Sequence, residues 1–99
     1  MFKDQVECQQ AIAHALTAAC RESWVSIVAE VKLDGDRVDA VVSYTRTHDG
    51  KIGHLSGVPR LALFFHELAR LVSAVDKGLF TSCRFKLGSD GRYSTTFEY

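Results

Sequence analysis

The 99-residue chain lacks most of the features that announce a function directly. It has no charge excess: Lys plus Arg and Asp plus Glu both total 12, for a formal net charge of zero. A general nucleic-acid binder carries a basic surplus, so direct nucleic-acid contact is not expected. No apolar run approaches the roughly 18 residues that span a membrane, and the opening stretch MFKDQVECQQ has no signal-peptide core. A cytoplasmic protein with no membrane contact is the expectation. With one proline and seven glycines there is no Pro- or Gly-rich linker, and no internal repeat is visible, so residues 1–99 read as one domain. Three cysteines, Cys8, Cys20 and Cys83, form no C-x-x-C pair and leave an odd one over. That pattern fits reduced, partly buried thiols better than a disulfide framework.

Assembled chemistry is also scarce. His66-Glu67-Leu68-Ala69-Arg70 begins like H-E-x-x-H, which sets two imidazoles on one helix face for zinc, but Arg70 stands where the second histidine belongs. His48 and His54 flank a polar segment without cysteine or carboxylate partners at ligand spacing. Asp34, Asp36 and Asp39 cluster around Gly35, yet an EF-hand loop needs its Gly at position six and a closing Glu. A catalytic thiol needs a base and an orienting group, and none is spaced for Cys8, Cys20 or Cys83, which read as small packing residues. There is no Gly-rich phosphate loop and no Ser nucleophile elbow. No enzyme, metal or cofactor is therefore expected.

What the chain does have is clear periodicity. Asp4 with Glu7 three residues on is an N-terminal helix signal, and Val6, Ile12, Ala13, Leu16, Ala19 and Cys20 recur at helical spacing, predicting a helix over about 4–22. SWVSIVAEVKL then changes to period two, with Val25, Ile27, Ala29, Val31 and Leu33 on one side. Asp34-Gly35-Asp36 is a turn signal, and RVDAVVSYTR returns with Val38, Ala40, Val42 and Tyr44 on one face. THDGKIGHLSG reads as a polar loop. From Pro59, suited to a first helical turn, Leu61, Phe64, Phe65, Leu68, Leu71, Val72 and Val75 form a broad apolar stripe, with Gly78 placed to end the helix. Thr81, Cys83, Phe85 and Leu87, then Tyr93, Thr95, Phe97 and Tyr99 beyond the Ser89-Asp90-Gly91 turn, alternate as a second hairpin.

The order α-β-β-α-β-β predicts an α+β fold: a four-stranded antiparallel sheet with two helices packed on one face. The other face stays open, holding Ser26, Glu30, Lys32, Asp39, Ser43 and Thr45 from one hairpin. Ser82, Arg84, Lys86, Arg92, Ser94, Thr96 and Glu98 come from the other. Residues 1–50 carry eight acids against five bases and residues 51–99 four against seven, so an acidic first hairpin is expected opposite a basic second one. Trp24 starts the first strand out of phase with the inward set, which fits either a seal over the sheet edge or an exposed anchor for a partner.

Trp24 at the strand opening and the run Ser89-Asp90-Gly91-Arg92-Tyr93-Ser94-Thr95-Thr96-Phe97-Glu98-Tyr99 also resemble the YezG-like (DUF600) family of bacterial immunity proteins, or antitoxins. The family's last hairpin follows a pattern close to D-x-x-G-K-F-x-x-x-F-x-Y. Asp90-Gly91 matches its turn, Arg92 and Tyr93 substitute a basic and an aromatic residue, and Phe97 and Tyr99 match directly. The resemblance implies stoichiometric binding, 1:1, to a cognate toxin domain, often a nuclease delivered by contact-dependent inhibition or a related secretion system. An inhibitor of that kind opposes the Lys and Arg that hold phosphates with acidic groups. On that logic the toxin-binding candidates are Glu30, Asp34, Asp36, Asp39 and Asp49, with Tyr44 as a secondary contact. Two other readings remain open: a small-ligand binder or enzyme using His48, His54 or Tyr44 in a pocket between sheet and helices, and a chaperone or adaptor for a secreted effector.

Overall fold

Asp4 opens the first helix by accepting a hydrogen bond from the Glu7 backbone N–H at 2.9 Å, which satisfies one of the donors a helix start leaves free. The computed structural model describes residues 4–21, 23–34, 37–55, 58, 60–72 and 80–98. Helix α1 spans Gln5–Ala19 and buries Cys8, Ile12 and Leu16, a stripe at four-residue spacing. It stops short of the expected residue 22 because Cys20 turns to extended backbone while its N–H still reaches the Leu16 carbonyl. Val6, assigned to the buried stripe, is 52 % exposed; Cys8 takes that place.

Strands β1 (Trp24–Asp34), β2 (Arg37–Arg46), β3 (Ile52–Leu55), β4 (Ser82–Gly88) and β5 (Tyr93–Glu98) form one antiparallel sheet in the order β3-β2-β1-β4-β5. The two expected hairpins are present and join through β1 and β4. The sheet has five strands instead of four, because the polar segment after β2 doubles back as β3 and pairs Ile52–Leu55 with Val42–Thr45. Gly53 makes this possible: a Cβ there would fall 2.5 Å from Tyr44 Cζ, so only glycine lets the ring cover the strand. The turn into β3 uses Gly50 at φ +68.

Helix α2 (Leu61–Val72) buries Leu61, Phe65, Leu68 and Ala69 and holds Phe64, Leu71 and Val72 against the core. Pro59, Val75 and Gly78, read as parts of this helix and its ends, lie outside the described residues. Both helices cover the sheet face formed by Ile27, Ala29, Val31, Val42, Tyr44, Cys83, Phe85 and Leu87. They also pack on each other, and the Cys8 thiol donates to the Phe64 carbonyl at 3.3 Å. The final hairpin contributes its aromatics to this layer. Phe85 meets Phe65 edge-on at 6.4 Å and stacks on Tyr93 at 5.4 Å, while Phe97 lies 5.1 Å from Phe80. Tyr99 lies outside the described residues.

The first strand departs from simple alternation at its start. Its register shifts between Trp24 and Ser26, which makes Val25 an extra residue in the ladder. The bulge turns Trp24 inward, partly buried against the core, and leaves Val25 49 % exposed. Trp24 is thus a packing residue, and Val25 does not belong to the inward set.

Candidate partner-binding face

The helices lie on one side, so the other side of the sheet is a grid of outward side chains read from the strand register. Thr45 and Ser26 stand beside Ile52; Ser43, Val28, Lys86 and Ser94 follow across from His54. Next come Val41, Glu30, Arg84 and Thr96, and then Asp39, Lys32, Ser82 and Glu98. The twist of the sheet gives this surface two shallow depressions of about 590 and 380 Å3, and Glu30, Val41 and Arg84 line both. Glu30 and Arg84 form a cross-strand ion pair at 3.8 Å, with roughly equal exposure of 63 % and 64 %. Val41 beside them is 60 % exposed and Ile52 59 %.

The six sequence candidates do not form one patch. Glu30 is at the centre of the open face. Asp39 lies on the same face, 3.2 Å from Arg37 Nε and directly across from Lys32, and Asp34 ends β1 across from Arg37. Asp36 lies outside the described residues. Asp49 sits in the β2–β3 turn, roughly 30 Å along the strands from the Asp34 end. There it accepts the Lys51 backbone N–H at 3.0 Å and is flanked by Arg46 at 3.7 Å and His48 at 3.5 Å. Those contacts make Asp49 a turn-forming residue. Tyr44 faces the helices and is 7 % exposed; its ring is core, which corrects its assignment as a contact.

The strand order keeps the first hairpin on one half of the open face and the second on the other. Antiparallel pairing of β1 with β4 joins the two halves, and at that seam Glu30 of the first meets Arg84 of the second. The face is a mixed one, with salt pairs around an apolar centre. Sequence reasoning listed the polar outward positions and passed over Val28 and Val41. Yet the same alternation that put Ile27 and Val42 inside put these two outside, and an apolar residue at an outward position was a readable signal. Ile52 and His54 could be placed only once β3 was known.

The three side chains proposed for an internal pocket do not converge. His54 faces outward, Tyr44 faces the helices, and His48 is in the turn. A separate apolar groove of about 330 Å3 opens beside the amino end of α2, lined by Val38, Ala40, Val42, Leu55, Val58, Leu61 and Ala62, with no titratable group in it. Among the described residues, no three His, Cys, Asp or Glu side chains gather as a metal would require. The three cysteines are buried and form no disulfide. Desolvation, with the nearby Glu67 carboxylate adding to it, pushes Cys8 up to about 11; desolvation alone pushes Cys83 up to about 12. Both stay protonated near neutrality, where a nucleophilic thiol would need the opposite shift. Glu67 pairs with Arg70 one turn on, and that hydrogen bond holds its carboxyl below the ordinary range.

The chain matches no protein-family model and no curated protein. No helix among the described residues is long and apolar enough to cross a membrane.

Proposed function

We propose that the chain is a cytoplasmic immunity protein whose open sheet face binds and blocks a cognate toxin domain, without turnover. One observation carries this reading. Among the described residues a whole face of a five-stranded sheet is left uncovered, and its concave centre holds an exposed valine beside a solvent-accessible Glu30–Arg84 pair. An apolar centre bordered by charges that can exchange partners is the composition of a specific protein interface. The resemblance of the last hairpin to the YezG-like antitoxins points the same way.

In this reading the toxin is a nuclease. Glu30, Asp39 and Asp34 face its phosphate-binding Lys and Arg, with Val41 beside the centre of the contact and Ile52 extending it toward the β3 edge. Paired charges favour a strict choice of partner: a toxin that brings a base to Glu30 must also bring an acid to the displaced Arg84. Blocking the nucleic-acid groove is enough to inactivate such an enzyme, so the inhibitor needs no chemistry of its own.

The test is co-expression with the toxin encoded by the neighbouring gene. Growth should be rescued, and the two chains should elute together as a stoichiometric complex on size exclusion. Unimpaired killing with no complex would sink the proposal. Rescue of growth with the effector still active after release would indicate a chaperone.

A further inference from the structure

Strand β5 is an edge of the sheet. The Glu98 carbonyl accepts the Thr81 N–H at 2.7 Å and the Arg92 carbonyl accepts the Gly88 N–H at 2.8 Å. Positions 92, 94, 96 and 98 therefore direct their backbone groups to β4. By the alternation of an antiparallel ladder, Tyr93, Thr95 and Phe97 direct theirs away from the sheet. Among the described residues no strand lies on that side. The edge YSTTFE also has none of the usual protections: no proline, no lysine, no bulge and no inward charge. The opposite edge, β3, is only four residues long.

From this edge we infer that the chain self-associates, a second copy adding its own β5 antiparallel to the first about a two-fold axis through Thr95. A partner strand has to satisfy both the backbone and the side chains, and the sequence of β5 does so against itself. With Thr95 opposite Thr95 of the second copy, Tyr93 falls opposite Phe97, Ser94 opposite Thr96, and Arg92 opposite Glu98, each pair occurring twice. Aromatic, Thr–Thr and opposite-charge neighbours are the cross-strand pairs that stabilise antiparallel sheets. All the outward N–H and C=O groups of Tyr93, Thr95 and Phe97 are satisfied in this register. Shifting it by two residues in one direction sets Arg92 opposite Thr96, and in the other sets Ser94 opposite Glu98, so either shift loses the charge pairs.

Arg92 and Glu98 are both exposed and held loosely on their own chain, Arg92 by Asp90 at 3.8 Å and Glu98 by Ser82 at 3.3 Å. The axis stands perpendicular to the sheet, so both copies keep their helices on one side and their open faces on the other. On the helix side, Gln9 of α1 is 3.3 Å from Thr95. The exposed Val6, one turn before Gln9, shares its side of the helix and extends the contact. The contact is small, so association in the micromolar range is expected.

Sedimentation velocity from low micromolar to millimolar concentration tests this. Monomer should convert to dimer, and Arg92→Glu or Glu98→Arg alone should weaken the dimer by about tenfold. The double variant R92E/E98R should restore it, and mixing the two single variants should give a heterodimer stronger than either homodimer. A monomer at every concentration overturns the inference. So does a dimer indifferent to the single changes, or one that the double change fails to restore. Hydrogen exchange on the unaltered chain gives a readout free of folding effects. The amides of Tyr93, Thr95 and Phe97 should gain protection as concentration rises, and concentration-independent exchange at all three would overturn the inference equally.

Discussion

Gly53 stands directly across from Tyr44 in the β2–β3 ladder, and the tyrosine ring occupies the space that a side chain at position 53 would need. The ring is buried and belongs to the core, so it has little room to yield. Gly53→Ala is expected to cost about 1–3 kcal/mol, the range for overpacking a filled site. Chemical denaturation with a two-state fit checks this, and loss of β3 should show as faster exchange of the Tyr44 and Val42 amides.

That pair also explains where the sequence was opaque. The two hairpins, both helices and most of the core follow from local periodicity, because Ile27, Ala29 and Val31 or Phe65 and Leu68 carry the pattern themselves. Strand β3 does not: in Ile52-Gly53-His54-Leu55 the residue facing inward beside Leu55 is a glycine, whose place in the core is filled by another strand's tyrosine. A contact across the turn decides it, between residues nine apart, and no periodicity within the strand itself signals it. The Trp24 bulge was hidden for a similar reason, since it depends on register against β2. The candidate face was legible by half. Glu30 and Asp39 were placed outward correctly, whereas the pairing of Glu30 with Arg84 and the distance of Asp49 from the rest depend on strand order.

The Asp4 side chain caps the amino end of α1. Asp4→Ala removes the acceptor for the Glu7 N–H and is expected to cost about 1 kcal/mol. Asp4→Ser should recover most of it. Thermal melts of the three proteins check the order.

The buried thiols set an alkaline limit to stability. Cys8 and Cys83 are raised from the ordinary 9.0 to about 11 and about 12. The unfolded chain therefore releases these protons first as pH rises. Their contribution is fully present below pH 9 and is lost between 9 and the folded values, at about 1.4 kcal/mol per pH unit for each thiol in that window. Urea titrations at pH 7, 9 and 10.5 should show the decline. Cys8→Ala and Cys83→Ala should each flatten it while lowering stability at neutral pH. At pH 8, thiol reagents should label the native protein only as fast as it opens.

On the open face, folding and binding should separate. Arg84→Glu and Glu30→Arg change exposed positions, so each is expected to alter stability by no more than about 0.5 kcal/mol. Each should nevertheless abolish growth rescue by the toxin pair. The double exchange E30R/R84E restores the ion pair within the chain, with its signs reversed. It should stay folded and still fail to protect, because the partner's charges then meet the wrong sign.

The most direct measurement is the affinity of the toxin domain for the unaltered chain and for Val41→Arg, by calorimetry. Val41 lines both depressions of the open face and is 60 % exposed. A loss of at least about a hundredfold in affinity, as for the centre of an interface, with the melting temperature nearly unchanged, is the predicted result. Equal affinity for the two proteins would contradict the placement of the partner on this face.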